Sequence, residues 1–388
     1  MNTIILKGII QRNEESLCIM EPFKLERYFA IYEFSTRYLL CASDCESLSL
    51  NNLLSYADEE AKNLWQNLSL GYTDSLGHLK LREEISKLYK IVSPEQSLVV
   101  APEEGIYIAM RCLLQPGDHV IAISPVYQSL YEVAKTIGCN VSQWHLHQED
   151  NHWSLSLSDL KALVKPETKL VIVNFPHNPT GFIPDQVFFR GLVDFLSEKG
   201  LYLFSDEMYQ LLEQNTSNRL PSACDVYSKA VTLSGLSKAF ALPGLRIGWL
   251  ATQNEMLYKK LTLYKDYTTI CSSAPSEILA IIALRASQDI LYRNMDIINK
   301  NLALAEAFFK QHTDTFRWLT PSGGSIAFPE LLMDMPIEKF CHELVRSKEV
   351  LLAPGNMFDA PGNHFRLGLG RKNFPEALKH LDEFIREM

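Results

Sequence analysis

The sequence predicts an α/β protein with a largely parallel sheet that helices cover on both faces. Between Ser97 and Leu250, short apolar or β-branched runs alternate with segments of helical length. Most of the runs are continuously apolar, which is typical of strands buried on both faces. Seven strands are expected, at Leu98–Val100, His119–Ile123, Val141–Leu146, Leu170–Asn174, Leu201–Ser205, Ala230–Leu233 and Ile247–Ala251.

Helices are expected between the strands, among them Glu103–Leu114 and Val126–Ile137. A proline lies at the start of each, and a glycine follows each end within a few residues. Prolines favour the first turn of a helix, and glycines favour the position after its last turn. Both positions therefore agree with the predicted helix ends.

The remainder of the chain predicts a second, smaller α+β domain. Residues 275–312 have the pattern of one long helix, and short strands and helices follow to the end. The first 45 residues contain one predicted helix, near Leu25–Phe34, and are too few to form a core alone. We therefore expect a large domain at 46–275 and a small domain that combines 1–45 with 276–388.

The composition excludes several classes of protein. Of the 388 residues, 47% are hydrophobic, so the chain can bury a large core and is not wholly disordered. The net charge of −9 disfavours a nucleic-acid partner, because binding phosphates needs a basic surface. No apolar run approaches the roughly 20 residues that span a bilayer, and the start MNTIILKGII lacks the features of a secretion signal. We expect a cytoplasmic protein without a membrane partner.

Neither the cysteines nor the histidines predict a metal site. The eight cysteines are scattered without CxxC pairs, as is typical of reduced thiols in the cytosol. His145 and His147 share one face of a predicted strand, without a third ligand nearby in sequence. His177 either lines a pocket or fills a loop.

Three predicted strands run directly into polar or glycine-rich segments. Leu170–Asn174 continues into NFPHNPTG, Leu201–Ser205 into SDEMY, and Ala230–Leu233 into SGLSKAFALPGLRIGW. Ligands of open α/β sheets bind at the carboxyl ends of the strands. These three segments therefore predict one binding site.

The third segment resembles the cofactor-lysine signature of the class I/II aminotransferases. Residues 235–238 (GLSK) and 244–248 (GLRIG) match that signature at every constrained position, and further similar stretches occur in the same order from Tyr72 to Arg371. The resemblance implies a fold-type-I enzyme that uses pyridoxal 5′-phosphate (PLP). It also implies a mostly parallel seven-stranded sheet in the large domain.

The resemblance assigns the catalytic roles. PLP chemistry needs an amine that forms a Schiff base and then moves a proton, and Lys238 is implied to supply it. A carboxylate at the ring nitrogen makes the cofactor an electron sink, and Asp206 has that position. Asn178 and Tyr209 are implied to donate hydrogen bonds to the phenolic oxygen. As alternatives, Lys238 is a solvated surface lysine, Asp206 caps the end of a strand, and Asn178 belongs to an ordinary turn.

Further residues are implied to hold the ring and the phosphate. Tyr127 corresponds to an aromatic residue stacked on the ring, or else is an ordinary half-buried tyrosine. Arg246 corresponds to the phosphate arginine, and Ser234 or Ser237 would add a hydroxyl. Tyr72 is similar to the tyrosine that reaches the phosphate of the neighbouring subunit, which implies a homodimer.

One loop departs from the family pattern. Small residues usually precede the helix Glu103–Leu114, whereas this chain has Ala101-Pro102-Glu103. Pro102 has no N–H to donate, and the Glu103 side chain would repel a phosphate. We still expect the backbone amides of Glu103 and Glu104 to bind it.

The substrate is implied to be an α-amino acid and a 2-oxo acid. Arg366 has the position of the arginine that binds the substrate carboxylate, with Arg371 as the alternative. The segment LYKDYTTICSSAP has no arginine for a second carboxylate, although Lys265 is close, so a dedicated dicarboxylate substrate is disfavoured. Asp44 and Glu46 pair with a cationic substrate side chain or else lie in a solvated loop.

These features predict a PLP-dependent aminotransferase of amino-acid metabolism. A second hypothesis keeps the cofactor but ends in elimination, replacement or cyclisation on an arginine-type substrate. It follows from several short segments that resemble the capreomycidine synthase branch, such as GGSIAFPEL and LLAPGNMF. A third hypothesis is a non-catalytic relative that senses PLP, which predicts lost catalytic residues or an added basic domain.

Overall fold

A computed structural model describes residues 20–150 and 152–388 of the chain. Its centre is a seven-stranded sheet with the strand order β1-β9-β8-β7-β6-β2-β3. The strands are β1 Ser97–Val100, β2 His119–Ser124, β3 Asn140–His145, β4 His147–Gln148, β5 Trp153–Ser154, β6 Thr168–Asn174, β7 Tyr202–Asp206, β8 Ala230–Gly235, β9 Gly248–Ala251, β10 Phe316–Arg317, β11 Ile326–Ala327, β12 Glu330–Leu331, β13 Ala353–Pro354 and β14 Phe365–Gly368.

Helices surround this sheet and continue to both ends of the described chain. They are α1 Lys24–Tyr32, α2 Leu50–Leu54, α3 Glu59–Gln66, α4 Leu79–Ser86, α5 Pro102–Leu113, α6 Ser129–Ile137, α7 Leu157–Leu163, α8 Gln186–Lys199, α9 Ala223–Val226, α10 Glu255–Lys265, α11 Ala274–Arg285, α12 Ser287–Gln311, α13 Ile337–Lys348 and α14 Phe374–Glu387. Short 3₁₀ helices occur at Pro94–Gln96, Thr216–Asn218, Pro243–Leu245 and Gly355–Phe358.

The sheet is parallel except at β9. This strand lies antiparallel to both of its neighbours, β8 and β1, whereas the pairs β2–β3, β2–β6, β6–β7 and β7–β8 are parallel. Every residue of β1, β2 and β9 is buried. Strands with both faces covered need apolar side chains on both faces, which explains the continuous apolar runs. The predicted α/β class with a mostly parallel sheet is confirmed.

Two helix predictions were partly wrong. The segment expected as one helix from 275 to 312 contains two, because Ala286 (φ −92°, ψ 20°) ends the first and precedes the second. This break lets α11 pack against α4 and α3, while α12 continues towards α14. The helix expected from Val126 begins at Ser129, because the residues before it form the turn that brings Tyr127 to the cavity described below.

The two ends of the described chain meet beside the sheet. Tyr38 forms a parallel bridge with Val350, and the amide of Gly368 donates to the carbonyl of Leu40 at 2.7 Å. Gly368 must be glycine here, since a Cβ would collide with the backbone of Ala42. These contacts agree with a unit built from both ends, but the boundaries 46–275, 1–45 and 276–388 stay a prediction. Within the described residues, no helix has the length and apolar character needed to cross a bilayer.

Candidate active site

A cavity of about 380 Å³ lies at the carboxyl ends of β7 and β8. Its volume is within the range of small-molecule sites. The sheet, helix α1, the loop after α1 and strand β14 all contribute residues. The lining residues include Leu25, Glu26, Phe29, Glu33, Ser43, Asp44, Pro102, Glu103, Tyr127, Asn178, Asp206, Tyr209, Ser237, Lys238, Arg246 and Arg366.

Lys238 enters the cavity from the loop that follows β8. Its Nζ donates a hydrogen bond to Oγ of Ser43 at 2.8 Å and lies 6.0 Å from the centre of the Tyr209 ring. Strand β8 ends at Gly235, and the carbonyl of Lys238 accepts the amide of Ala241 at 3.1 Å. This tight turn directs the amine at the end of the sheet into the cavity.

Asp206 is the last residue of β7 and is buried. Its Oδ1 accepts the amide of Met208 at 3.0 Å. Burial, with the nearby charge of Glu103, raises the pKa of Asp206 to about 7, although the Met208 amide and Lys238 act in the opposite direction. A cation that binds beside such a buried carboxyl group stabilises its charged form.

Arg366 and Asn178 form one end of the cavity. Arg366 is 1% exposed, and its Nε donates to the carbonyl of Cys41 at 3.1 Å while Nη1 donates to Oδ1 of Asn178 at 3.2 Å. Nη2 is buried and has no hydrogen-bond partner among the described residues. The guanidinium also lies near the rings of Phe29 and Phe358, at 5.8 and 5.1 Å. It is a fixed cation with one donor group still available.

Tyr127 lies between helix α1 and the sheet. Its hydroxyl donates to Oε1 of Glu26 at 3.1 Å, and its ring is 4.8 Å from that of Phe23. Burial, together with the charges of Glu103 and Glu26, raises the pKa of Tyr127 well above its ordinary value. The ring is therefore an uncharged, firmly placed wall of the cavity.

Arg246 and the start of helix α5 form the opposite end. Arg246 is exposed, with its Nη1 donating to the carbonyl of Pro243 at 3.0 Å. The first backbone bond of α5 joins the amide of Gly105 to the carbonyl of Ala101, so the amides of Glu103 and Glu104 precede the intrahelical bonds. Such amides and an arginine are a suitable pair for a phosphate.

The side chains of the two glutamates point in different directions. Glu103 lines the cavity, and burial, with the charge of Glu26, raises its pKa. Glu104 instead accepts the amide of Ala101 at 3.1 Å, bonds to Thr268 and Thr269, and lies 3.6 Å from Nζ of Lys265. Burial alone would raise the pKa of Glu104, but these hydrogen bonds and the Lys265 charge lower it.

Some of the predicted residues are not among those that line the cavity. Ser234 lies within β8, and Glu46 accepts the amide of Lys372 at 3.2 Å. Tyr72 is 91% exposed on the surface. Asp44 does line the cavity, but Nη2 of Arg371 lies 2.8 Å from its Oδ1. Arg371, the alternative carboxylate binder, is thus paired with Asp44 and is not among the lining residues.

The histidines lie elsewhere. His177 is fully buried, shares a hydrogen bond of 2.8 Å with Thr180, and is not among the lining residues. Burial lowers its pKa to about 3, so the ring is neutral. His147 pairs with Asp159 at 2.8 Å. Within residues 20–150 and 152–388, no group of three or more His, Cys, Asp or Glu side chains is arranged to hold a metal ion.

Sequence reasoning missed eight lining residues near the amino-terminal end of the described chain, four of which carry acidic, aromatic or hydroxyl groups. Glu26, Phe29 and Glu33 come from α1 and its last turn, and Ser43 comes from the loop that follows. The only signal for the first three is their spacing of three and four residues, which places them on one helix face. For Ser43 the sequence has no signal, because its contact with Lys238 joins residues 195 positions apart.

Comparison with known proteins gives the family. The model of the family described as aminotransferase class I and II matches residues 38–381. The chain belongs to this family. A solved structure, a PLP-dependent aminotransferase from Streptococcus suis 89-1591, is 33% identical and superposes with a TM-score of 0.89, covering 95% of this chain and 98% of the other.

Two sequence relatives of this aminotransferase are named for different activities. An aspartate aminotransferase from Thermotoga maritima is 29% identical over 338 residues, 84% of this chain and 86% of the relative. Capreomycidine synthase from Streptomyces vinaceus is 28% identical over 298 residues, 76% of this chain and 75% of the relative. The predicted family, fold type and assignment as a PLP-dependent transferase are confirmed, and the family implies PLP as the cofactor.

The aminotransferase cavity has groups that suit PLP. The hydroxyls of Tyr209 and Ser237 are buried without a hydrogen-bond partner in the described residues. Leaving such a group unsatisfied costs about 1–3 kcal/mol, so both indicate a ligand with polar atoms at those positions. Asp206 is a buried carboxylate beside a cavity, and Arg246 is a cation at its other end. This set of acceptors and donors matches a molecule with a basic ring nitrogen, a phenolic oxygen and a phosphate.

Proposed function

We propose that the protein is a PLP-dependent aminotransferase that moves an amino group between an α-amino acid and a 2-oxo acid through Lys238. The convergence of three groups on one cavity carries this proposal. The amine of Lys238, the carboxylate of Asp206 and the guanidinium of Arg366 all line it. These are the amine, the ring-nitrogen partner and the carboxylate binder that such a transfer requires.

Different residues of the chain would hold different parts of the cofactor. Bound PLP supplies an electron-withdrawing ring that stabilises the negative charge left when the substrate loses its α-proton. Asp206 would hold the ring nitrogen, and Tyr209 and Asn178 the phenolic oxygen. Tyr127 would pack on the ring. The phosphate would be held by Arg246, the Ser237 hydroxyl and the amides of Glu103 and Glu104, with Ser234 and the partner's Tyr72 as further candidates.

The remaining roles concern the substrate and the proton. The free Nη2 of Arg366 would bind the α-carboxylate together with Asn178, which fixes the orientation of the α-carbon. Lys238 would then accept the α-proton at Nζ and hold it there for the transfer. The Ser43 hydroxyl, 2.8 Å from Nζ, places the amine for this transfer.

The test replaces Lys238 by alanine and compares the absorbance of the bound cofactor. We expect the Lys238→Ala protein to lose the absorbance that PLP shows when it is joined to a lysine, and to lose transfer activity. Lys169→Ala, a change of an exposed lysine, is the matched control and should keep both. Retention of that absorbance in Lys238→Ala would refute the proposal.

A second reaction outcome is favoured by one observation, the similarity to capreomycidine synthase. In this alternative the same residues remove the α-proton, but elimination, replacement or cyclisation follows on an arginine-type substrate. Incubation with single amino acids separates the outcomes. Formation of a new amino acid that depends on an added 2-oxo acid indicates transfer, and consumption of the amino acid without a 2-oxo acid indicates the alternative.

The homodimer and the cytoplasmic location also stay proposals. The exposed ring of Tyr72 is available to a neighbouring subunit, and the seven described cysteines are unpaired thiols, as expected in the cytosol. Mixing Lys238→Ala with Tyr72→Ala subunits tests the first point. If Tyr72 serves the partner's cavity, mixed dimers contain one complete site and regain activity, whereas no recovery contradicts this role.

A further inference from the structure

One wall of the cavity carries two glutamates that the reaction described above does not use. Glu26 lies in helix α1, and Glu33 lies just after it. Seven residues correspond to about two helical turns, roughly 10 Å along the axis, so both side chains lie on the same face. Leu25 and Phe29 on that face also line the cavity. We call this face, formed by Leu25, Glu26, Phe29 and Glu33, the acidic wall.

The glutamates of the acidic wall form no ion pair in the described part of the chain, and the Arg366 guanidinium lies 5.8 Å from the Phe29 ring of this wall. The contact of Glu26 within the cavity is the hydroxyl of Tyr127 at 3.1 Å. The nearby Asp44 differs, because Arg371 forms an ion pair with it at 2.8 Å. None of the ion pairs within 4.0 Å in residues 20–150 and 152–388 involves Glu26 or Glu33.

Burial and nearby negative charges raise the pKa of Glu33. Burial has the largest effect on this pKa, and the charges of Asp44 and Glu26 raise it further, against the opposite effect of Arg371 and Lys238. A bound phosphate would add more negative charge to the cavity. A positive group beside Glu26 and Glu33 would reverse this repulsion, whereas a third carboxylate would increase it.

A second observation in the same cavity shows what the other end of the ligand requires. Nη2 of Arg366 is buried without a partner among the described residues, and the guanidinium is otherwise held by Cys41 and Asn178. An arginine fixed in this way is suited to a carboxylate. The cavity thus presents a site for an anion at Arg366 and a site for a cation at the acidic wall.

We propose that the substrate is an α-amino acid whose side chain ends in a guanidinium or ammonium group, which Glu26 and Glu33 bind while Arg366 holds the α-carboxylate. The inference rests on the proposed function, because it places the α-amine at Lys238. It differs from the sequence-based expectation in the residues that recognise the side chain. Asp44 is already paired, and Glu46 is not among the lining residues.

The test titrates the PLP-loaded enzyme with arginine, lysine, citrulline, norleucine and glutamate. Citrulline and norleucine are neutral counterparts of the two cations. The change in cofactor absorbance gives a dissociation constant for each amino acid, independently of turnover. We expect arginine, lysine or both to bind at least about tenfold more tightly than the neutral counterpart, which corresponds to about 1.4 kcal/mol. Glutamate should bind most weakly.

Variants connect this preference to the acidic wall. Glu26→Gln and Glu33→Gln should each weaken binding of the preferred cation by about tenfold or more and change norleucine binding by less than about twofold. Glu83→Gln, which removes the same charge from an exposed position of α4, should change neither. Since Glu26 also accepts from Tyr127, Glu33→Gln decides the matter if Glu26→Gln does not fold.

Each outcome supports or overturns the inference. Equal binding of cationic and neutral amino acids overturns it, as does an equal loss for both in the glutamine variants, or no response to any of the five. Transfer from neutral amino acids only would overturn it while the proposed function stands. Selective binding of arginine or lysine without any 2-oxo-acid-dependent product supports it, and then the proposal of transamination fails instead.

Discussion

Replacing Asp206 by asparagine should stabilise the cofactor-free protein at alkaline pH, although it removes a carboxylate that we propose to hold the cofactor. Asp206 is buried at the end of β7, and burial raises its pKa to about 7 from an ordinary value of 3.8. The folded state therefore prefers the protonated carboxyl. In such a case stability is greatest at acidic pH and falls as the pH rises from about 4 towards 7.

The size of this effect follows from the two pKa values. Each pKa unit corresponds to about 1.36 kcal/mol, so the difference between about 7 and 3.8 gives at most about 4 kcal/mol of destabilisation above pH 7. At pH 5 the same relation gives about 1.5 kcal/mol, because the unfolded state is ionised and the folded state is not. The advantage of Asp206→Asn over wild type should grow by up to about 2.5 kcal/mol from pH 5 to pH 8.

The assay is urea unfolding of the cofactor-free proteins at pH 5 and pH 8. Asp194→Asn, at an exposed position of α8, is the control for removal of one aspartate charge and should show no comparable growth. The Asp206→Asn protein should also bind PLP more weakly. An advantage that is equal at the two pH values, or that is larger at pH 5, would refute the argument that the buried charge of Asp206 is uncompensated.

Three other substitutions test separate parts of the structure. Glu207→Gln should gain stability in urea relative to wild type between pH 5 and pH 8, as Asp206→Asn does, because burial raises the pKa of Glu207 to about 7. The amide of Ala223 at 2.8 Å and the hydroxyls of Ser205 and Ser222 act in the opposite direction, and an equal difference at the two pH values would contradict this. Arg366→Lys should raise the KM for the amino acid about tenfold or more, since an ammonium group cannot replace the forked guanidinium. An unchanged KM in steady-state kinetics would count against binding of the substrate carboxylate by Arg366. Gly181→Ala should lower Tm more than Gly117→Ala. Both glycines have positive φ, but only at Gly181 would a Cβ collide with Pro321, so equal decreases in Tm would show that this collision is unimportant.

Much of the sheet and of the cofactor end of the cavity could be predicted from the sequence. The seven strands were predicted to within two residues at each end, mostly because buried strands have unbroken apolar runs. The edge strand β3 is the exception, since its sequence NVSQWH is mixed in polarity and only partly buried. Asp206 ends β7 and Lys238 follows β8, so the sheet brings these two residues together, whereas Arg246 lies in the loop before β9. The family motif names these residues even where spacing alone is ambiguous.

The substrate end could not be predicted to the same degree. Its residues meet through packing between chain segments that are hundreds of residues apart, which no local pattern records. The ion pair of Asp44 with Arg371 joins residues 327 positions apart. Because of this pair, the charge of Asp44 is already neutralised and is not available to a ligand. In the same way, the contribution of Glu26 and Glu33 depends on where α1 packs.

The pairing of the two chain ends has a consequence for biosynthesis. The carbonyl of Cys41 accepts a hydrogen bond from Arg366, which is synthesised 325 residues later, and the carbonyl of Leu40 accepts one from the amide of Gly368. A ribosome therefore releases every strand of the central sheet before the substrate side of the cavity can close. A nascent chain interrupted before β14 has the sheet that presents Lys238 and Asp206, but lacks Arg366, the residue that we propose to bind the substrate carboxylate.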